Sequence, residues 1–363
     1  MSSVTTSCWM TSVADRFSAL PHQGLRALFA LLLATLLLAG CAQPAQVHTL
    51  SGPTMGTSWS VKVVGLPTGM TLPQLQQDLA MLLDMVNQQM STYLADSDIS
   101  RFNQAEAGSW HALPADFYQV LAYSLALARD TNGAYDPTVG PLVNLWGFGP
   151  DKATLKAPGE DALAAARARI GWQRIELDPQ RRAAYQPGNM YVDLSSVAKG
   201  FAVDKLADYL GARGLENYLV EIGGELRASG RKPDGSGWRV AVEKPLPGVR
   251  DIARVLDLTQ GAVASSGDYR NFFEQDGVVY SHIVDPRTGR PVDHLTASVT
   301  VLADTCMEAD ALATAMTVLG PKEGIAFADA RQLAVLFIVR EGEELKEVSS
   351  LAFKQLSFVQ QEN

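Results

Sequence analysis

"YLVEIGGELRASG", residues 218–230, is a strand-like stretch interrupted by the glycine pair Gly223–Gly224. Two more strand-like runs follow it, "WRVAVE" (238–243) and "ARVLDLTQGAVASSG" (253–267), and no helical period separates them. Strand following strand in this way breaks the strict βα alternation of a doubly wound sheet. The stretch therefore points to an α+β fold, with mixed or antiparallel sheets and packed helices. The glycine pair marks either a close backbone approach or a bulge.

Working outward, "SVAKGFAVDKLADYLGARG" (196–214) reads as a helix with Ala198, Ala202, Leu206 and Leu210 on one face and Gly211 or Gly214 near its end. Before it, "RIELD", "AAYQ" and "MYVDL" read as successive strands, and residues 159–170 as an Ala-rich helix. Trp59, Val61 and Val63 alternate with polar residues in "TSWSVKV" (57–63), the period of a half-buried strand. Thr71 and Gln74 have capping-box spacing ahead of Leu75, Leu79, Leu82, Val86 and Met90, an apolar helical stripe. A second helix is expected near 115–131, with Phe117, Val120, Leu121, Leu125 and Ala128 inward. "STYLADSDISRFN" (91–103) and the Gly- and Pro-rich "GAYDPTVGPLVNLWGFGP" (133–150) read as loops, the second long enough to be functional. The stretch 333–350 reads as a β-hairpin, and no repeat of fixed period is present.

Arg16 and Arg26 precede the apolar run 27–40, which stops at Cys41 and is too short for a comfortable membrane span. The layout is that of a secretory signal, and Leu38-Ala39-Gly40-Cys41 resembles a bacterial lipobox; an uncut N-terminal anchor is the alternative. On the lipobox reading, residues 1–40 are a signal peptide, Cys41 carries lipid, residues 41–52 are a tether, and 53–363 form the working domain. Lipidation would hold the chain on the periplasmic face of a bacterial membrane. Cys306 is then the one thiol left, expected as a small core residue. Removing residues 1–40, which hold Asp15, Arg16 and Arg26, takes the formal charge from −9 to −10. So acidic a chain argues against nucleic acid as a partner.

Three segments carry chemistry. In "EADALATAMTVLG" (308–320), Leu312, Ala315, Met316 and Leu319 share one helix side, with Asp310, Thr314 and Thr317 opposite. That stripe is either a solvated face or a source of oxygen ligands for a hard cation. In "MYVDLSSVAKG", Asp193 stands at a strand end, with Ser195 or Ser196 at the start of the next helix, where free N–H groups attract anions or a simple cap forms. In "SHIVDPRTGRPVDH" (281–294), His282 and Asp285 precede a Pro–Gly turn, and a neutral imidazole there can accept a proton from an attacking hydroxyl.

Together, "MGT", "STY", "SRFN", "GAYDPTVGPLVNLWGFG", "VDLSSVAKGFAVDKLADYL", "IGGELRASG", "ASSGDYRNFFE", "SHIVDPRTGRPV" and "EADALATAMTVLG" resemble, in this order, the ApbE family of FAD:protein FMN transferases, from about Met55 to Gly320. The resemblance implies FAD contacts from Met55, Tyr93, Ala134, Tyr135, Asp136, Asp193, Lys199 and Val284. It also implies Mg²⁺ ligands at Ser196, Asp310 and Thr314, and a lipid anchor that agrees with Cys41. Ala313 stands where some members carry a third carboxylate, and Ser196 where others have Thr or Gly, leaving open whether its side chain or only its backbone binds. The implied reaction moves the FMN half of FAD onto a Thr or Ser hydroxyl of a flavoprotein subunit in a membrane redox complex and releases AMP. His282 is expected as base with Asp285 orienting it, and Asp193 competes for the role. The alternatives are an FAD pyrophosphatase, with water as nucleophile, and a non-catalytic lipid-anchored FAD carrier, against which the metal ligands speak because a carrier has no leaving group to activate.

Overall fold

The alternation in 57–63 is realised as a strand whose Trp59, Val61 and Val63 are all buried. The computed structural model describes residues 46–149, 155–246, 251–267, 272–342 and 344–356. In chain order they form strands β1 (Val47–Thr54) and β2 (Thr57–Val64), helices α1 (Leu72–Met90) and α2 (Asp98–Asn103), strand β3 (Ser109–Ala112), and helices α3 (Ala115–Asp130), α4 (Gly140–Leu145) and α5 (Glu160–Arg167). Next come β4 (Glu176–Asp178), β5 (Ala183–Gln186), α6 (Ala198–Gly211), β6 (Tyr218–Ile222), β7 (Glu225–Ser229), β8 (Trp238–Glu243), β9 (Ile252–Leu258) and β10 (Gln260–Gly267). The remainder are β11 (Phe272–Gln275), β12 (Val278–Ser281), β13 (Val284–Asp285), β14 (Arg290–Pro291), β15 (Thr296–Ala303), α7 (Cys306–Ala330), β16 (Ala334–Glu341), β17 (Glu344–Ser349) and α8 (Leu351–Lys354).

Eight strands make one antiparallel sheet in the order β1-β2-β6-β7-β10-β15-β16-β17. The strands expected from 218–230 and 333–350 are hairpins within it, and the α+β expectation holds. Helices α6 and α7 cover one face. On the other, Leu226, Val263 and Leu336 pack with Val240, Val242, Leu256 and Phe353 from the β8–β9 hairpin and α8. Strand β7 shows why both faces work. Leu226 points to this apolar layer, while Glu225 and Arg227 turn toward α6, where they meet Lys199 and Asp204.

Several expectations change. Residues 47–52 are not tether: they pair with β2, Ser51 opposite Ser60, and the compact unit begins at Gln46. Strand β1 escapes the periodicity test because it lies on the sheet edge, where only Leu50 and Thr54 are buried. The loops 91–103 and 133–150 each contain a short helix, α2 capped by Ser97 and α4 with Pro141 in its first turn. "MYVDL" is extended but belongs to no sheet. Its Val192 backbone is held by the side-chain amide of Asn103, which accepts from Val192 N–H at 2.8 Å and donates to Val192 C=O at 2.9 Å. Gln186 holds Met190 in the same way, its Oε1 accepting from Met190 N–H at 3.4 Å and its Nε2 donating to Met190 C=O at 3.3 Å, so two side chains stand in for a neighbouring strand. Helix α7 runs past 320, with a break at Gly320 and Pro321. Cys306 is a buried free thiol, as expected. Cys41 and the signal lie outside the described residues. Among those described, no helix is long and apolar enough to cross a membrane.

Candidate active site

Helices α6 and α7 meet with almost no side chain between them. A Cβ on Gly200 would lie 2.7 Å from Asp310 Cβ and would also strike the carbonyl of Cys306, so only glycine permits this contact. The closeness lets each helix cap the other. Asp204 of α6 accepts from the Cys306 and Met307 amides at 2.9 and 2.8 Å, the free N–H groups at the start of α7. Asp310 of α7 accepts from Gly200 N–H at 2.9 Å, in the first turn of α6. Asp310 is 6% exposed, which disposes of the solvated-face reading of its stripe.

These contacts set Asp310 beside a cavity of about 640 Å³. Ala134, Tyr135, Asp136, Asp193, Ser196, Lys199, His282, Val284, Asp310 and Thr314, ten of the residues singled out in the sequence, line it. The Tyr135 hydroxyl, buried, accepts from Ser196 Oγ at 3.0 Å, and burial pushes its pKa up to about 12. Because the Ser196 proton is spent on Tyr135, the oxygen's lone pairs are left to a ligand. Asp136 is held inward by the Thr138 amide and hydroxyl (2.8 and 2.6 Å) and the Trp172 amide, so it braces the loop, and burial raises its pKa against these donors. Asp193 accepts from Ser195 N–H at 2.8 Å and fixes the approach to α6. His282 lies edge-on to Phe148, ring centroids 6.2 Å apart.

Three expected site residues lie elsewhere. Asp285 does not orient His282; its carboxylate is gripped by Arg287 Nε and Nη2 at 3.0 and 2.9 Å, so it stabilises the 285–289 turn. Tyr93 is 72% exposed and outside the cavity lining. Met55 takes φ 48° in the β1–β2 turn, with Gly56 at 71°, and it too is absent from the lining. That turn bears on the site indirectly, since Thr57 abuts Gly223, which does line the cavity.

The sequence reading passed over Glu225. It is 4% exposed, lines the cavity, and holds Lys199 Nζ at 2.6 Å. The available signal was a Glu beginning a strand next to the glycine pair, weak until the strand is set against α6. Burial works to lower the Lys199 pKa, but Asp310 and Glu225 outweigh it and raise it. Burial also raises Glu225, and it pushes Asp310 up to about 7 despite Lys199 and the Gly200 amide.

Asp310, Thr314 and Ser196 are all oxygen donors, the chemistry of a hard cation, and a buried carboxylate resisting ionisation is one that a cation would relieve. Among the described residues no group of three or more His, Cys, Asp or Glu could hold a metal. The protein thus offers one carboxylate and two hydroxyls, leaving the remaining positions to ligand oxygens. That set fits Mg²⁺, which keeps few protein ligands and favours phosphates.

The ApbE family model matches residues 55–337. The chain belongs to the ApbE family. Within the family it is 47% identical to an FAD:protein FMN transferase of Vibrio cholerae over 319 residues, covering 88% of this chain and 95% of that one. It is 44% identical to the FAD:protein FMN transferase of Haemophilus influenzae, covering 88% of this chain and 94% of that one. Among solved ApbE structures, the Vibrio cholerae flavin transferase superposes with a TM-score of 0.81 at 44% identity, over 86% of this chain and all of the other. The apo Pseudomonas stutzeri flavinyl transferase gives 0.80 at 41%, over 87% and 98%. The family match spans the cavity lining, both capping helices and the β6–β7 hairpin.

Proposed function

We propose that this chain transfers FMN from FAD to a Thr or Ser hydroxyl of an acceptor flavoprotein and releases AMP. The carrying observation is that His282, Lys199, Ser196, Asp310 and Thr314, from three separate segments, converge on one cavity in an ApbE-family chain. The Lys199 ammonium binds the pyrophosphate. The acceptor oxygen bonds to the FMN-side phosphorus, the bond from that phosphorus to the AMP phosphate breaks, and the hydroxyl proton passes to His282. Ser196, Asp310 and Thr314 would hold Mg²⁺, whose bound charge favours AMP as leaving group. His282 acts without Asp285, whose carboxylate belongs to Arg287. A lipid anchor at Cys41, where the sequence resembles a lipobox, would hold the enzyme on the periplasmic face of a membrane, with a subunit of a membrane redox complex as acceptor.

The test is AMP release from FAD and Mg²⁺, with and without an acceptor flavoprotein subunit. Release that requires the acceptor, with flavin retained on it after denaturation, is the expected result. Release without acceptor would make the chain a pyrophosphatase, and none under either condition a carrier.

A further inference from the structure

Two carboxylates and one ammonium share the inner wall of the cavity, and the ammonium has chosen its partner. Lys199 precedes Gly200, whose amide grips Asp310, so its flexible stem starts one residue from that carboxylate. Yet Lys199 is paired with Glu225. Glu225 is costly to keep there: it is almost wholly buried and its Oε2 has no hydrogen-bond partner. Its other oxygen, Oε1, does one visible job, holding Lys199 Nζ at 2.6 Å.

We propose that Glu225 is a positioning residue that holds Lys199 off Asp310, keeping the Asp310 carboxylate open to a divalent cation. The proposal rests on the reading of Asp310 as a metal ligand. Without Glu225, Lys199 has one buried carboxylate within its surroundings, and an ion pair with it would occupy the oxygens a cation needs. Held by Glu225, the ammonium stays in the cavity as a charge for phosphate while Asp310 remains available.

The test is a double-mutant cycle read by Mn²⁺ binding to the FAD-free protein, following the free-ion signal in electron paramagnetic resonance, so that the role of Lys199 toward FAD does not enter. Glu225→Gln should weaken Mn²⁺ about tenfold, the scale of coupling between contacting residues. Lys199→Met should bind Mn²⁺ as tightly as wild type or more so, and in that background Glu225→Gln should have no further effect. If Glu225→Gln weakens Mn²⁺ equally in both backgrounds, the loss is simple charge removal and the proposal is overturned; so it is if Glu225→Gln changes nothing. Asp310→Ala runs alongside. A wild-type curve for that variant overturns the metal assignment itself and, with it, the proposal. Circular dichroism checks folding, and if Glu225→Gln does not fold, Glu225→Asp replaces it with the same expectation, since it withdraws the carboxylate by one methylene.

Discussion

The α6–α7 contact carries a buried aspartate at each end, and the two live differently. Asp204 is surrounded by donors: two amides from α7 and the Arg227 guanidinium at 2.9 Å. Asp310 accepts from one amide, Gly200 N–H, and faces the cavity. Burial raises the pKa of both. What separates a clamp from a ligand here is the count of donors already supplied. A saturated carboxylate has nothing to offer a substrate, whereas an under-supplied one at a cavity wall is a binding group.

The comparison breaks most sharply on Asp310→Ala. AMP release should fall about 10²- to 10³-fold, the usual loss for one group that stabilises developing charge. Thermal melting should barely move, because the change removes a poorly compensated buried charge. Equal activity in wild type and variant would make both aspartates clamps. Asp204→Ala should do the reverse, leaving two amides without their acceptor and Arg227 with Asp208 alone, at a cost of about 3 kcal/mol. Its melting temperature should drop by several degrees, while turnover per folded molecule stays within a few-fold.

A pH titration sharpens the contrast further. The folded-state pKa of Asp310 is raised from 3.8 to about 7, so the native protein holds this proton longer than the unfolded chain. For this group, stability is therefore present at low pH and lost as pH rises between those values. Metal-free Asp310→Asn should match wild type near pH 4 in a thermal melt and exceed it near pH 8; a pH-independent difference would contradict the burial argument. The smallest effect belongs to Thr314→Val, which loses one neutral oxygen worth about 1 kcal/mol, or roughly fivefold in apparent Mg²⁺ affinity. Raising Mg²⁺ should restore its AMP release, and a defect untouched by metal would assign Thr314 to another task.

Much of this was legible from the chain. Periodicity found α1, α3 and α6 because each buries a continuous apolar stripe, such as Leu75, Leu79, Val86 and Met90 in α1. The oxygen donors of α7 were visible at i and i+4. Other features depend on partners distant in sequence. "MYVDL" has strand composition, but its backbone hydrogen bonds go to the side chains of Asn103 and Gln186 and to the Pro137 carbonyl rather than to a strand's backbone ladder. Asp285 stands near His282 in the chain, yet Arg287 two residues on competes for it more closely. Glu225 gains meaning only when β7 lies against α6. Local pattern reports what a segment buries, and is silent on which distant side chain will satisfy it.

The site's hydrogen bonds also bear on when it forms. Asn103 reaches Val192 across 89 residues, Gly200 reaches Asp310 across 110, and Trp146 Nε1 reaches the Gly289 carbonyl across 143. Each is a loop closure whose entropy must be met before the contact gives anything back. The sheet hairpins β1–β2, β6–β7 and β16–β17 need no such closure. Assembly should therefore run from hairpins to sheet to cavity, with the start of α6 and its grip on Asp310 among the last elements to lock. A nascent chain is thus without its catalytic pocket until residues beyond 310 have emerged and docked, which delays any flavin chemistry until the fold is nearly complete.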